Sequence, residues 1–455
     1  MKKIYDITNE KLIFTNKALW ALLIPVMLEQ FLNTLMGMAD TMMVSRVSAA
    51  AISAVALVDS INILVIQIFS AMAAGATIVC AQYIGSGNDE RSNDAAKQVT
   101  LTVTCISMLA MLLCLLFYKP LLNFVFGAVE PDVMKDSITY FVVTAISFPF
   151  IALFSAGSAF FRAGGESRFP MIVSVISNVI NVIGNAVFIF VFDMGVFGAA
   201  MATLLSRVFC MVVVFAALRK PTVEGQKIIL KNYFTIRPDF PLIAKILSVG
   251  IPSGIENGMF QFGKLAIQSS VSLLGTAAIA AHAMVTILEN LNGIAAMGMG
   301  IGLMTIVGQC VGGGKIEQAK YYIVKITVWA WIVVLVSCMF VFAITKPVIY
   351  IAGMEALSAK LCFDMMIYVS LVKPIPWAFS FVPGYGMRAA GDVKYSMIVS
   401  SLTMWFCRVL ITTILIRVMG VGPIAVWIGM SCDWFVRAVI FTHRFFTGKW
   451  VKQLC

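Results

Sequence analysis

The sequence predicts an all-α polytopic membrane protein: about twelve transmembrane helices in two six-helix bundles related by internal pseudo-two-fold symmetry. Three observations predict it. Of the 455 residues, 60% are hydrophobic and only 12% charged, and the mean hydropathy is +0.95, far from the balance of soluble domains. Apolar stretches of about 20 residues, the length at which a helix crosses a bilayer, recur from end to end. Three short motifs also occur twice, in one order and at nearly one spacing.

Taken in order, the apolar stretches predict helices at 15–45, 51–82, 98–118, 134–161, 169–192 and 195–218. Six more follow at 241–273, 277–309, 320–345, 362–387, 395–417 and 421–443. The longest polar connection runs from Arg219 to Asp239, so no soluble domain fits between spans. The expected division is an N-lobe over 1–218, a cytoplasmic linker over 219–239 and a C-lobe over 240–455.

Orientation follows from charge. With the N-terminus placed inside, 21 Lys and Arg fall on inside segments, among them Lys2, Lys3, Lys11, Arg219, Lys220, Lys227 and Lys231. Only Arg46, Lys119, Lys135, Lys346, Lys360 and Arg417 fall outside. That asymmetry obeys the positive-inside rule and predicts a cell-membrane protein with both termini cytoplasmic. It also accounts for the net charge of +11 without a nucleic-acid partner. No small-residue cleavage site follows a short apolar core, so no removable signal peptide is expected.

The repeat is read from its markers. Ile24-Pro25-Val26-Met27-Leu28-Glu29 matches Ile251-Pro252-Ser253-Gly254-Ile255-Glu256 at an offset of 227. Gln82-Tyr83-Ile84-Gly85-Ser86-Gly87 matches Gln309-Cys310-Val311-Gly312-Gly313-Gly314 at the same offset. Arg162-Ala163-Gly164-Gly165-Glu166 matches Arg388-Ala389-Ala390-Gly391-Asp392 at 226. Six spans per copy make a parallel repeat, since an even number of spans preserves orientation.

Several charges sit inside apolar stretches. Asp40, in Gly37-Met38-Ala39-Asp40-Thr41, is the first. An aspartate at mid-bilayer costs roughly 2.5–3.5 kcal/mol, so it points to proton or cation binding. The competing reading is an interfacial residue, because Arg46 is six positions on. Glu29 and Glu256 stand four residues after the two repeat prolines. They read either as acids that attract a cationic substrate or as protonated residues bonding backbone groups freed by proline. Glu289, Lys264, Lys325, Lys373, Arg207, Arg408 and Arg437 also fall within or near spans.

Other chemistries find little support. There are ten cysteines, mostly within apolar runs, and no C-x-x-C. His282 and His443 make no zinc-like cluster, and an intramembrane enzyme would need a metal set or a nucleophile with its base. His282 reads as a packing residue.

These motifs together resemble the MATE (multidrug and toxic compound extrusion) family of the MOP flippase superfamily, with NorM-like and DinF-like bacterial members. The resemblance covers about Leu19 to Arg444. It rests on Gly37–Val44 followed by Val47-Ser48-Ala49, on the Gln-x-x-Gly-x-Gly pair and on the Arg-Ala-x-Gly-acid pair. It implies two six-helix lobes around a central cleft. It further implies export of amphipathic, hydrophobic cationic drugs or dyes in exchange for protons or sodium, without a bound cofactor, by a monomer.

In the family an N-lobe aspartate works with polar residues of the fifth and sixth spans. The matching residues here are Asp40, Asn181, Asn185 and Thr203. Asn178 lies one turn before Asn181 and joins that face. Glu29, Glu256, Asn33 and Asn178 are candidates for the cleft or the substrate site. The chain departs from the DinF-type pattern at Asn185, where an aspartate is usual. It departs from the NorM-type pattern at Phe260 and Trp377, where the C-lobe carries Glu and Asp. Asp40 is therefore the principal coupling candidate. The alternative within the superfamily is a lipid or lipid-linked oligosaccharide flippase; a receptor is the alternative of another class.

Overall fold

A computed structural model describes residues 12–44, 46–127, 129–223, 225–231 and 237–452, with backbone alone at Met38 and Ala49. Lys2, Lys3 and Lys11, counted above toward orientation, lie outside the described residues. All regular structure among the described residues is helical. The first half holds α1 (Asn16–Val44), α2 (Ala49–Gly85), α3 (Asp89–Leu116), the short α4 (Tyr118–Phe126), α5 (Pro131–Ile146), α6 (Phe148–Ala163), α7 (Arg168–Asn185) and α8 (Gly195–Leu218). The second half holds α9 (Phe240–Val271), α10 (Thr276–Gly312), α11 (Ile316–Ile351), α12 (Ala356–Val372), α13 (Trp377–Ala389), α14 (Val393–Thr403), α15 (Ile411–Arg417) and α16 (Ile424–Phe446). A π-helical turn extends α7 over Ala186–Val191, and another joins α14 to α15 over Met404–Leu410.

Among the described residues, nine helices are long and apolar enough to cross a membrane. The count is eleven when the pairs α5–α6 and α12–α13, bent by 43° and 58°, are each one span. The expected seventh span, α9, is 32 residues long but is not among them. Ser253, Glu256, Asn257, Gln261 and Lys264 make it too polar.

The repeat markers explain how the helices end. Gly87 and Gly314 hold φ of 75° and 71°, and Gly165 and Gly391 hold 95° and 97°. This is the left-handed region that only glycine enters without strain. At each of the four ends a backbone N–H reaches back to satisfy a terminal carbonyl. Asn88 bonds Tyr83 at 3.1 Å, Lys315 bonds Cys310 at 2.8 Å, Glu166 bonds Phe161 at 3.0 Å and Asp392 bonds Met387 at 3.0 Å. This is the Schellman closure, used twice per half.

The chain forms two compact units. One is Trp20–Gly254; the other is Ile255–Cys455 with the segment up to Leu19. In the first, α2 packs on α3, α5 and α6, and α7 packs on α8. Its core includes Val55, Val58, Phe141, Ile189 and Val196. In the second, α10 packs on α11, α12 and α13, and α16 packs on α13 and the 404–410 turn. Its core includes Val271, Val285, Met365, Met366 and Trp427. The second unit also takes the start of the chain: Phe14 N–H donates to the Tyr322 hydroxyl at 2.9 Å.

Candidate functional site

In the first unit four of the sequence candidates form one hydrogen-bonded chain across three helices. Asn185, at the last residue of α7 before its π turn, donates to the Asp40 carboxylate of α1 at 2.6 Å. It also donates to Asn181 Oδ1 at 3.2 Å. Asn181 donates to Thr203 Oγ1 of α8 at 3.3 Å. Asn181 and Asn185 share a face because they are one turn apart, and both are buried, at 4% and 1% exposure. Asn185 Oδ1 is buried without a donor among the described residues, so an unused acceptor sits on the amide that bonds Asp40.

The other four candidates lie apart from that chain. Asn33 is exposed and accepts from Ser174 of α7 at 3.1 Å. Asn178 carries a buried Nδ2 with no acceptor among the described residues. Glu29 and Glu256 are not free acids. Arg162 holds Glu29 at 3.2 Å and Arg388 holds Glu256 at 3.5 Å, all four groups largely buried. A carboxylate already paired with guanidinium presents little net field to a cation. Each ion pair joins the first marker of its half to the third, which is why the two markers recur together.

Sequence reasoning missed a second polar group beside Asp40. Asp59 of α2 accepts from Asn62 at 3.2 Å, and Asn62 donates to Thr144 of α5 at 3.3 Å. The Tyr140 hydroxyl bonds Asp59, and Arg207 acts on both Asp59 and Asp40. Arg207 itself donates to Ser147 at 2.6 Å, at the α5–α6 bend. The signal was present in the sequence, since Asp59 interrupts an apolar span as Asp40 does.

The second unit carries a different charge set. Asp433 of α16 is fully buried between Arg408 and Arg437, each at 2.7 Å. Glu289 of α10 meets Lys373, at the α12–α13 break, at 2.5 Å. Phe260 and Trp377, the positions of the expected acids in the NorM-type pattern, are covered by these cations. The guanidiniums of Arg437 and Arg408 stand 5.0 and 5.7 Å from the Phe260 ring centre, and the Lys373 ammonium stands 5.1 Å from that of Trp377. His282 packs against Trp427, ring centres 5.8 Å apart. No cluster of three or more His, Cys, Asp or Glu side chains suited to a metal ion occurs among the described residues.

The fold is that of known transporters. A MATE protein solved in complex with MaL6 superimposes with a TM-score of 0.87 at 21% identity, covering 95% of this chain and 97% of that one. A MOP superfamily transporter from Pyrococcus furiosus, described as having a binding pocket of reversed polarity, superimposes with a TM-score of 0.88 at 19% identity, over 95% of each chain. Among curated proteins, a probable multidrug resistance protein NorM of Thermotoga maritima is 27% identical over 454 residues, covering 96% of this chain and 93% of the relative. The MatE family profile matches twice, over residues 25–187 and 252–414. Each match begins at a repeat proline, so the two halves are copies of one module. The chain belongs to the MatE family.

Proposed function

We propose that the protein is a secondary active antiporter that exports small amphipathic organic molecules, cations among them, in exchange for protons or sodium, with Asp40 as the coupling carboxylate. It works as a transporter and not as an enzyme. The observation that carries this reading is the Asp40–Asn185–Asn181–Thr203 chain, which ties α1 to α7 and α8 through a single ionisable group. With Asp40 charged, the Asn185 amide stabilises it. With a proton or a sodium ion present, the carboxylate and the unused Asn185 oxygen offer acceptors to that ion. Loading removes a buried charge and changes which packing of α1 on α7 is favoured. Alternating access then follows from one unit with two ion-dependent arrangements. The protein sits in the plasma membrane with cytoplasmic termini and acts as a monomer.

The test is ethidium accumulation in cells lacking their own exporters, with wild type and Asp40→Asn at matched membrane abundance. Separate pH and sodium jumps name the ion. Wild type is expected to lower accumulation in response to one ion, and Asp40→Asn to lose that response. Unchanged ion dependence in Asp40→Asn would sink the scheme.

A further inference from the structure

We propose that the second unit contains an intramembrane subsite for an anionic group, so that preferred cargo carries a carboxylate in addition to its apolar body. This deepens the antiporter reading and rests on it.

The charge balance is the first ground. Lys264, Arg408, Arg437 and Lys373 form one electrostatically linked group with Asp433 and Glu289. Four cations therefore stand against two carboxylates in this one group, and unbalanced charge within a membrane is expensive and marks function. The carboxylates are already spent: Asp433 binds both guanidiniums, and Glu289 binds Lys373. Lys264 makes no hydrogen bond or ion pair among the described residues.

The second ground is unused donors. Arg408 and Arg437 are 4% and 1% exposed, yet the Nε–H of each has no acceptor among the described residues. Asn292, one turn beyond Glu289, is fully buried with neither side-chain atom partnered among the described residues. Buried donors without acceptors are rare in native structures and call for an explanation. A carboxylate supplies two acceptor oxygens that match a guanidinium.

The third ground is access and selectivity. Lys264 is exposed while Phe260, one turn earlier on α9, is half-buried against Arg408 and Arg437. The exposed ammonium thus leads to the buried pair along one helix face. A cationic group finds no welcome there. Phe260 and Trp377, whose faces would attract it, already hold the protein's own cations.

The experiment uses the full chain purified in detergent and two dyes of one shape. Tetramethylrhodamine carries a free carboxylate; its methyl ester is a simple cation. Binding is read by fluorescence anisotropy. The free acid is expected to bind about tenfold more tightly than the ester. Lys264→Gln is expected to remove most of that preference while leaving ester binding within about twofold, and Lys264→Arg to restore it. Because Lys264 is exposed and unpaired, Lys264→Gln disturbs no packed partner, and retained ester binding reports an intact fold. Equal binding of acid and ester, tighter binding of the ester, binding of neither, or an acid preference unchanged in Lys264→Gln overturns the proposal. Asp40→Asn is expected to keep the acid preference, so a failure of ion coupling and a failure of the subsite are separate results.

Discussion

Asp433 shows what one buried carboxylate does at the residue scale. It is fully buried and neutralises half of a guanidinium pair. Replacing it by Asn keeps the shape but leaves Arg408 and Arg437 to repel each other in an apolar setting. Removing one partner from a buried ionic group costs about 3–5 kcal/mol. Asp433→Asn is accordingly expected to lower the thermal unfolding midpoint by several degrees in detergent, whereas an exposed carboxylate such as Asp364, changed to Asn, leaves it nearly unmoved. Asp433 illustrates where the sequence ran out. A charge inside an apolar stretch is visible in Cys432-Asp433-Trp434, but its two partners, one 25 residues earlier and one a turn later, are set by which spans pack together. Asp40, Asn181, Asn185 and Thr203 were legible because a shared helix face and a family resemblance both pointed to them. Asp59 and Arg207 lacked that second pointer.

Helix ends and helix pairs carry the next level. The sequence markers were read as turns and kinks, and their glycines do close helices. Their charged members do something spacing could not reveal: Glu29 of α1 and Glu256 of α9 bind the arginines that end α6 and α13. The third marker's acid then diverges between halves. Glu166 accepts from the backbone N–H of Arg168 at 2.7 Å and starts α7. Asp392 is taken instead by Arg444 at 2.9 Å and Lys452 at 2.7 Å, which fastens the end of the chain beside the buried Trp450. A double-mutant cycle on Glu29→Gln and Arg162→Gln, read by thermal unfolding, is expected to give a coupling of about 0.5–3 kcal/mol. Each single change should cost more than the pair together, because each strands a buried charge. Strict additivity would remove the ion pair from the forces holding α1 to α6.

For the whole molecule, duplication supplied one scaffold and substitution gave its halves different charge. The offsets of 226 and 227 carry Asn62 onto Glu289, Ser147 onto Lys373 and Arg207 onto Asp433. The polar positions persist while their charges change: two neutral residues become an acid and a base, and an arginine becomes an aspartate. The expectation of about twelve spans was legible from hydropathy because lipid demands apolar helices. It weakened at α9, where Glu256 and Lys264 break the apolar run. The proposed coupling also sets how export would be driven. With Asp40 as the one coupling carboxylate and a proton as its ion, one proton enters per cycle. A monovalent cation leaving as one proton enters moves no net charge, so the membrane potential contributes nothing. A zwitterion leaving for one proton moves a full charge inward. That is worth about 2.3 kcal/mol at ~100 mV, or about a fifty-fold gradient at roughly 1.4 kcal/mol per tenfold. In proteoliposomes with a fixed pH gradient, and relative to protein-free liposomes, a potassium diffusion potential set by valinomycin is therefore expected to speed protein-dependent transport of tetramethylrhodamine several-fold and leave that of its methyl ester unchanged. An equal response from the ester would mean that more than one charge enters per cycle. Asp59, a second carboxylate that acts on Asp40, would then have to share the coupling.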